Sequence, residues 1–342
     1  MPILVTGGSG YFGSLLLRRL VEKGERVRSF DWVDPEERET GVEYVNGDIR
    51  DAAAIARACE GMTIVHHNVA QVPLAKDRAL FESVNVQGTK NMLDGAKAAG
   101  VRKVVYTSSS AVFGVPDSNP VTESTSPRPQ EAYGRAKYEG ERLCQAHVDR
   151  GLDVTIVRPR TILGHGRLGI FQILFEWIRT GSNVPVLGRG DNRYQFVHAD
   201  DLADACIRAG ERPGATLYNC GTDRFGTMRE VLEALCKHAG TGSRVRSVPA
   251  AAAVGMMKLT STLGWSPLGP YHALMYGRSM YFDVSKLERE LGWRPRYSNE
   301  AMFLESYDWY VAHRERVLAT KGASHHRSPV RQGVLELVRR LL

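Results

Sequence analysis

The 342-residue sequence lacks most of what would tie a chain to a membrane span, a disulfide framework or a nucleic acid. No uninterrupted apolar run approaches the roughly 18 residues that a spanning helix needs. The opening "MPILVTGG" has no basic n-region and no small-residue cleavage site, so no secretory signal is expected. The five cysteines, Cys59, Cys144, Cys206, Cys220 and Cys236, are odd in number, widely spaced and without a C-x-x-C pair. This argues against disulfides and a metal site, and suits a reducing cytoplasm. There is no internal repeat and no long low-complexity tract. The net charge of +7 is unevenly placed: residues 321–342 carry Lys321, Arg327, Arg331, Arg339 and Arg340 against Glu336, a local +4. The charge therefore describes a tail, and no nucleic-acid partner is expected of the body.

What is present suits a globular enzyme. Hydrophobic residues make up 43% and charged residues 24%, enough to bury a sizeable core. Short β-branched runs alternate with helical patterns in the first half. Strands are expected near 2–6, 26–31, 42–46, 62–67, 102–107 and 153–158, and helices near 11–23, 51–59, 78–99 and 131–149. That alternation predicts an α/β fold, a doubly wound parallel sheet of Rossmann type with a smaller C-terminal substrate lobe. The expected division is 1–163 for the cofactor domain, with 193–220 packing against it, 164–317 mainly for the substrate lobe, and 318–342 for the tail. Asp200 or Asp201 is expected to cap the helix after "FVH", and Thr227 with Glu230 has capping-box spacing. His66 and His67 close a buried strand and are expected to pack there.

Two constellations carry chemistry. In "TGGSGYFG", Gly7, Gly10 and Gly13 follow a strand and open a helix. Glycine lets backbone approach a diphosphate, and the helix N-terminus offers free N–H groups and a positive dipole. Asp31 lies 18 residues past Gly13, at the end of the second strand, where a carboxylate accepts from ribose hydroxyls and repels a 2′-phosphate. NAD is thus expected, while nearby Arg28 and Arg38 leave NADP open. In "EAYGRAKYEGE", Tyr133 and Lys137 stand at i and i+4 on one helix face. A phenol with an ordinary pKa of about 10 needs a neighbouring positive charge to act as a base near neutrality.

Taken together, TGxxGxxG, "GDIRD", "VNVQGTKN", "SSSAVFG", YxxxK and "RP…GHG" resemble the extended short-chain dehydrogenase/reductase superfamily, in its epimerase/dehydratase branch, to about residue 315. The resemblance implies that Tyr133 is the acid/base, that Lys137 binds the nicotinamide ribose and lowers the tyrosine pKa, and that Ser109, ahead of its neighbours Ser108 and Ser110, is the catalytic hydroxyl. It places Gly7, Gly10, Tyr11, Phe12, Gly13 and Asp31 along the cofactor. Asp48 and Ile49 would flank the adenine. Asn68, Val69, Ala70, Gln71 and Asn85 would line the cofactor, as would Thr107 and Ser108. Arg158, Pro159 and Arg160 would pass beside the nicotinamide. It also implies a homodimer through helices 78–99 and 131–149.

Nucleotide-sugar enzymes of that branch usually carry Asn three residues after the Arg of "RP", and often Arg four residues before the His of "FVH". Here those positions are Thr161 and Tyr194, with Arg193 one residue away. The segment 248–265 is apolar and Met-rich. In 324–342, Val330, Val334, Leu337, Val338 and Leu341 recur at helical spacing beside basic residues, the pattern of a helix lying on an anionic membrane surface. These features are similar to the 3β-hydroxysteroid dehydrogenase-like group. The expected function is hydride transfer between NAD(P) and a secondary alcohol or ketone on a hydrophobic, lipid-like substrate, of steroid or 3-oxo sphingoid type. The expected location is the cytoplasm, peripheral at the inner membrane surface. Two alternatives are a nucleotide-sugar epimerase or dehydratase with internally recycled NAD, and a non-catalytic cofactor-binding subunit.

Overall fold

Strands that must pair on both edges and bury both faces need uninterrupted apolar, β-branched sequence. The computed structural model describes residues 1–35, 37–71, 78–167, 170–249 and 277–319, with Gly255 and Met275. Such strands form its centre. β1 (Pro2–Thr6), β2 (Arg26–Asp31), β3 (Val42–Asn46), β4 (Ile64–His67), β5 (Lys103–Thr107), β6 (Val154–Pro159) and β7 (Thr216–Cys220) make one seven-stranded parallel sheet. Its order is β7-β6-β5-β4-β1-β2-β3. Every residue of β4, β5 and β6 is buried.

The chain winds outward from β1 to β3, then returns to β4 and winds the other way. β1 and β4 are therefore neighbours, paired as Thr6 with His67, and their C-terminal ends border the crevice where a doubly wound sheet binds ligands. Helix α1 (Tyr11–Glu22) and helix Ala199–Glu211 cover one face through Leu16, Leu20, Leu202 and Ala205. α2 (Ala52–Cys59), the helical run 78–98 and helix Ala132–Val148 cover the other through Ile55, Met92, Leu93 and Cys144. A separate apolar cluster joins helices Ile170–Arg179, Met228–Ala239 and Asn299–Ala319 through Phe175, Leu235, Phe303 and Tyr310.

The structure corrects one expectation of local chemistry. His198, not Asp200 or Asp201, caps the helix that follows it, its Nδ1 accepting the Asp200 amide at 3.2 Å. The two aspartates fall in the first turn and face outward partners: Asp200 takes Arg19 at 2.6 Å, and Asp201 takes Arg296 at 2.9 Å. The Thr227–Glu230 capping box is present. His66 and His67 are buried, and His67 hydrogen-bonds Thr6 at 2.7 Å and Thr89 at 3.1 Å. Most of the apolar segment 248–265 and nearly all of the tail 318–342 lie outside the described residues.

Candidate active site

The site begins at the turn after β1. Gly7 has φ +77° and its amide donates to the Phe30 carbonyl at 2.9 Å. A Cβ on Gly7 would sit 3.0 Å from the Val69 nitrogen, where the chain leaves β4, and a Cβ on Gly13 would collide with the Gly7 carbonyl oxygen. Glycine is thus required for the turn to close and for α1 to start against the sheet. The consequence lies at the N-terminus of α1. Asp51, Glu131, His198 and Thr227 cap the helices they precede with side-chain acceptors, whereas Gly10 gives α1 none. The N-terminus of α1, with the first-turn amides of Phe12 and Gly13 uncapped by any Gly10 side chain, is left for an anion at the crevice.

Asp31, at the end of β2, accepts from the Ser9 amide at 3.1 Å and the Val33 amide at 3.2 Å. Burial pushes its carboxyl up, and the backbone N–H groups oppose that shift. Asp48 is held below its usual value, chiefly by Arg50. Ile49 is buried against Gly88, and its carbonyl accepts from Asn91 at 3.1 Å.

Past β4, Asn68 accepts the Thr107 hydroxyl at 2.6 Å. Val69 and Ala70 continue the loop to Gln71, whose amide and carbonyl pair with the Asn85 side chain at 2.7 and 3.0 Å. Asn85 lies on a π-helical stretch, Phe81–Gln87. That stretch also sets Phe81 edge-on to Tyr133, with ring centres 6.3 Å apart. π-Helical insertions of this kind recur at functional sites.

Ser109 caps a short 3₁₀ turn, Ser110–Phe113. Gly134 lets the next helix lie on that turn, because a Cβ there would strike the Ala111 carbonyl. The close approach brings Tyr133 beside Ser109. Burial raises the Tyr133 phenol to about 12; the Ser109 hydroxyl and Arg167 favour the phenolate, and Glu131 disfavours it. One turn on, Lys137 is buried, donates to the Thr107 carbonyl at 2.8 Å and stands 4.9 Å from the Tyr106 ring centre. Burial lowers its ammonium to about 8.

Two expected cofactor residues face a third that sequence reasoning missed. Ser108 donates to Glu141 at 2.5 Å, and Arg158 grips the same carboxylate at 2.8 and 2.6 Å. Glu141 follows Lys137 by four residues on the same helix face, a spacing that could have exposed it. Pro159 ends β6, paired with Cys220. The Arg160 amide donates to the Cys220 carbonyl at 2.8 Å, and its side chain reaches Ser110 and Met280.

Among the described residues, His165, His198 and Glu305 bring metal-type ligand atoms within 4.8 Å of one another. They hydrogen-bond instead. His198 Nδ1 accepts the Asp200 amide, so Nε2 carries the proton and donates to Glu305 at 2.7 Å. Burial pushes the Glu305 carboxyl up, but His165 and His198 outweigh it and hold the group at about 2.

The profile of the NAD dependent epimerase/dehydratase family matches residues 3–221. The chain is 55% identical over 336 residues to the uncharacterized protein y4nG of Sinorhizobium fredii, covering 98% of this chain and 85% of that one. It is 31% identical to 3 beta-hydroxysteroid dehydrogenase/Delta 5→4-isomerase of Mycobacterium tuberculosis, covering 91% of this chain and 90% of that one. Among solved structures it is similar to dTDP-glucose 4,6-dehydratase from Streptomyces venezuelae with NAD and TYD bound. There the TM-score is 0.73 at 28% identity, over 92% of this chain and 98% of that chain.

Proposed function

We propose a function from one premise: the chain belongs to the NAD-dependent epimerase/dehydratase family. It is an NAD-dependent enzyme of that family acting on a small-molecule substrate. The crevice suits NAD: the uncapped amides of α1 match a diphosphate, and Asp31 offers acceptors for ribose hydroxyls. Arg28 is paired with Glu43 at 3.0 Å, and Arg38 with Asp34 at 3.2 Å at the exposed surface.

Our reading is that the enzyme interconverts a secondary alcohol and a ketone on a hydrophobic, lipid-like molecule. NAD, when bound, supplies hydride transfer. Ser109 holds the substrate oxygen, and Tyr133 Oη gives or takes its proton. Lys137 binds on the ribose side and adds positive charge below the phenol. At a phenol pKa of about 12 Tyr133 is protonated near neutrality, ready to act as the acid in ketone reduction. Oxidation needs the phenolate and is expected to quicken as pH rises.

One observation carries the choice of substrate. Thr161 and Tyr194, standing where nucleotide-sugar enzymes carry Asn and Arg, hydrogen-bond each other at 3.0 Å. Arg193 lies against the neighbouring rings of Phe225 and Tyr281, 5.0 and 4.9 Å from their centres. Thr161 and Tyr194 thus satisfy each other rather than waiting for a diphosphate. The steroid dehydrogenase relative, matched over nine-tenths of both chains, supports the same choice. The likeness to the dTDP-glucose dehydratase favours the second reading, a nucleotide-sugar epimerase or dehydratase.

The test is nicotinamide absorbance with purified protein, NADH or NADPH, and a panel of 3-oxo lipids, ketosteroids and nucleotide sugars. Net cofactor oxidation with a lipid ketone supports the reading; an isomerised sugar with no net change overturns it. In the same assay Asp31→Ala is expected to move the NADH-over-NADPH preference toward NADPH by about tenfold, the scale of one lost charge-assisted contact. An unchanged preference would remove Asp31 from cofactor selection.

We also propose a homodimer through helices 78–98 and 132–148 and a surface-lying tail at 324–342, to be checked by light scattering and by sedimentation with anionic vesicles. The tail lies outside the described residues. Among those described, no helix is long and apolar enough to cross a membrane.

A further inference from the structure

We infer that Arg160 is a receptor for an oxyanion on the substrate, set one residue from the hydroxyl that holds the reacting oxygen. The inference rests on the reading above that a substrate occupies the Ser109–Tyr133 site. Arg160 is 1% exposed. Its Nη1 donates to Ser110, the residue after Ser109, at 2.8 Å and touches the Met280 sulfur at 3.2 Å. Its guanidinium carbon lies 4.5 Å from the Tyr194 ring centre and 5.5 Å from that of Phe282. Its Nε and Nη2 are buried and have no hydrogen-bond partner among the described residues.

Arg158, two residues earlier, shows what that edge of a guanidinium can do. Its Nε and Nη2 take the two oxygens of Glu141 in a forked pair. The same edge of Arg160 has no carboxylate among the described residues, although a guanidinium is charged at any physiological pH. A buried charge without a counter-ion is costly, and a buried donor pair without acceptors calls for an explanation. The two neighbouring rings stabilise the cation but are not in-plane acceptors for either N–H. A carboxylate or phosphate would fit the free edge bidentately and supply the missing charge. Both candidate substrate classes can carry one: an acid group on a lipid, or the diphosphate of a nucleotide sugar.

The experiment is thermal unfolding of the NAD-loaded protein with decanoate, methyl decanoate or UDP, in the wild type, Arg160→Gln and Arg160→Met. Decanoate is expected to raise the unfolding temperature where its neutral ester does not, and the rise is expected to vanish in both variants. A rise with UDP alone, lost in the variants, would keep the receptor and overturn the lipid reading. Equal effects of acid and ester in the wild type, or an anion effect that survives in the variants, would overturn the receptor. Two further readouts separate it from other roles. Without ligand, both variants are expected to unfold no lower than the wild type, because they remove an uncompensated charge. A large drop, or failure to fold, would make the guanidinium structural. The resemblance sets Arg160 beside the nicotinamide, whereas a receptor turned to the substrate leaves NAD affinity, read by quenching of tryptophan emission, within about tenfold of the wild type; a larger loss, above about 1.4 kcal/mol, would return Arg160 to the cofactor and overturn the receptor.

Discussion

Replacing Tyr133 by Phe is expected to lower turnover by about 10²–10⁴-fold, the usual contribution of a positioned acid or base. The substitution removes one oxygen and keeps the ring that packs edge-on against Phe81. The backbone amide of residue 133, which donates to Glu131 at 2.7 Å, is untouched. Folding and NAD affinity should therefore be retained, and the loss should fall on kcat. The pH profile sharpens the test. In the free protein burial puts the phenol at about 12, so the oxidising direction depends on whatever draws it down. Ser109 and Arg167 already act that way, and the Lys137 ammonium lies one helical turn on. The wild type should oxidise faster as pH rises, and the residual activity of the Phe variant should lose that slope. Turnover near the wild-type level would remove Tyr133 from the mechanism.

The second large effect concerns stability. Glu141→Gln is expected to cost about 3–5 kcal/mol in chemical denaturation, because it leaves the buried Arg158 charge uncompensated. Arg158 and Glu141 are 4% and 5% exposed, and the carboxylate takes three short hydrogen bonds, two from Arg158 and one from Ser108. Glutamine keeps the shape and one acceptor but removes the charge and turns two amide hydrogens toward these donors. The paired replacement Arg158→Met with Glu141→Leu should recover much of the loss, since an apolar pair of similar volume carries no desolvation penalty. A single Gln variant within about 1 kcal/mol of the wild type would show that the pair is solvated in solution, contrary to its burial. Because Glu141 also acts on Lys137 through space, the variant should lose activity beyond its lost stability.

The central sheet was legible because its strands are short runs such as "KVVYT" and "DVTIVR", whose composition suits burial on both faces. The Gly turn, Asp31, Tyr133 and Lys137 were legible because their spacing reflects local geometry: one turn, one strand end, one helix face. What was not legible depends on contacts between distant residues. Ser108 and Arg158 meet at Glu141, separated from it by 33 and 17 positions. Strand Val184–Leu187 pairs with strand Val245–Val248, two four-residue strands about 60 positions apart with no periodic signal. The π-helical insertion leaves no mark on "FESVNVQ" that a helix would not also leave. The cap at His198 was misassigned because aspartate is the commoner cap residue, whereas here both aspartates serve distant arginines. Arg160 reads in sequence as one more basic residue beside "RP"; both arginines are buried, and only the unpaired Nε/Nη2 edge distinguishes Arg160 from Arg158.

The account stands most directly on net hydride transfer to a lipid ketone. The deciding measurement uses NADH deuterated at its hydride position, incubated with the wild-type protein and a 3-oxo lipid or ketosteroid that it turns over, followed by mass analysis of the product. The account predicts one deuterium on the carbinol carbon for each NADH consumed, with labelling slowed about 10²–10⁴-fold by Tyr133→Phe. A sugar nucleotide epimerised without label and without NADH loss, while every lipid ketone stays unreduced, would contradict it.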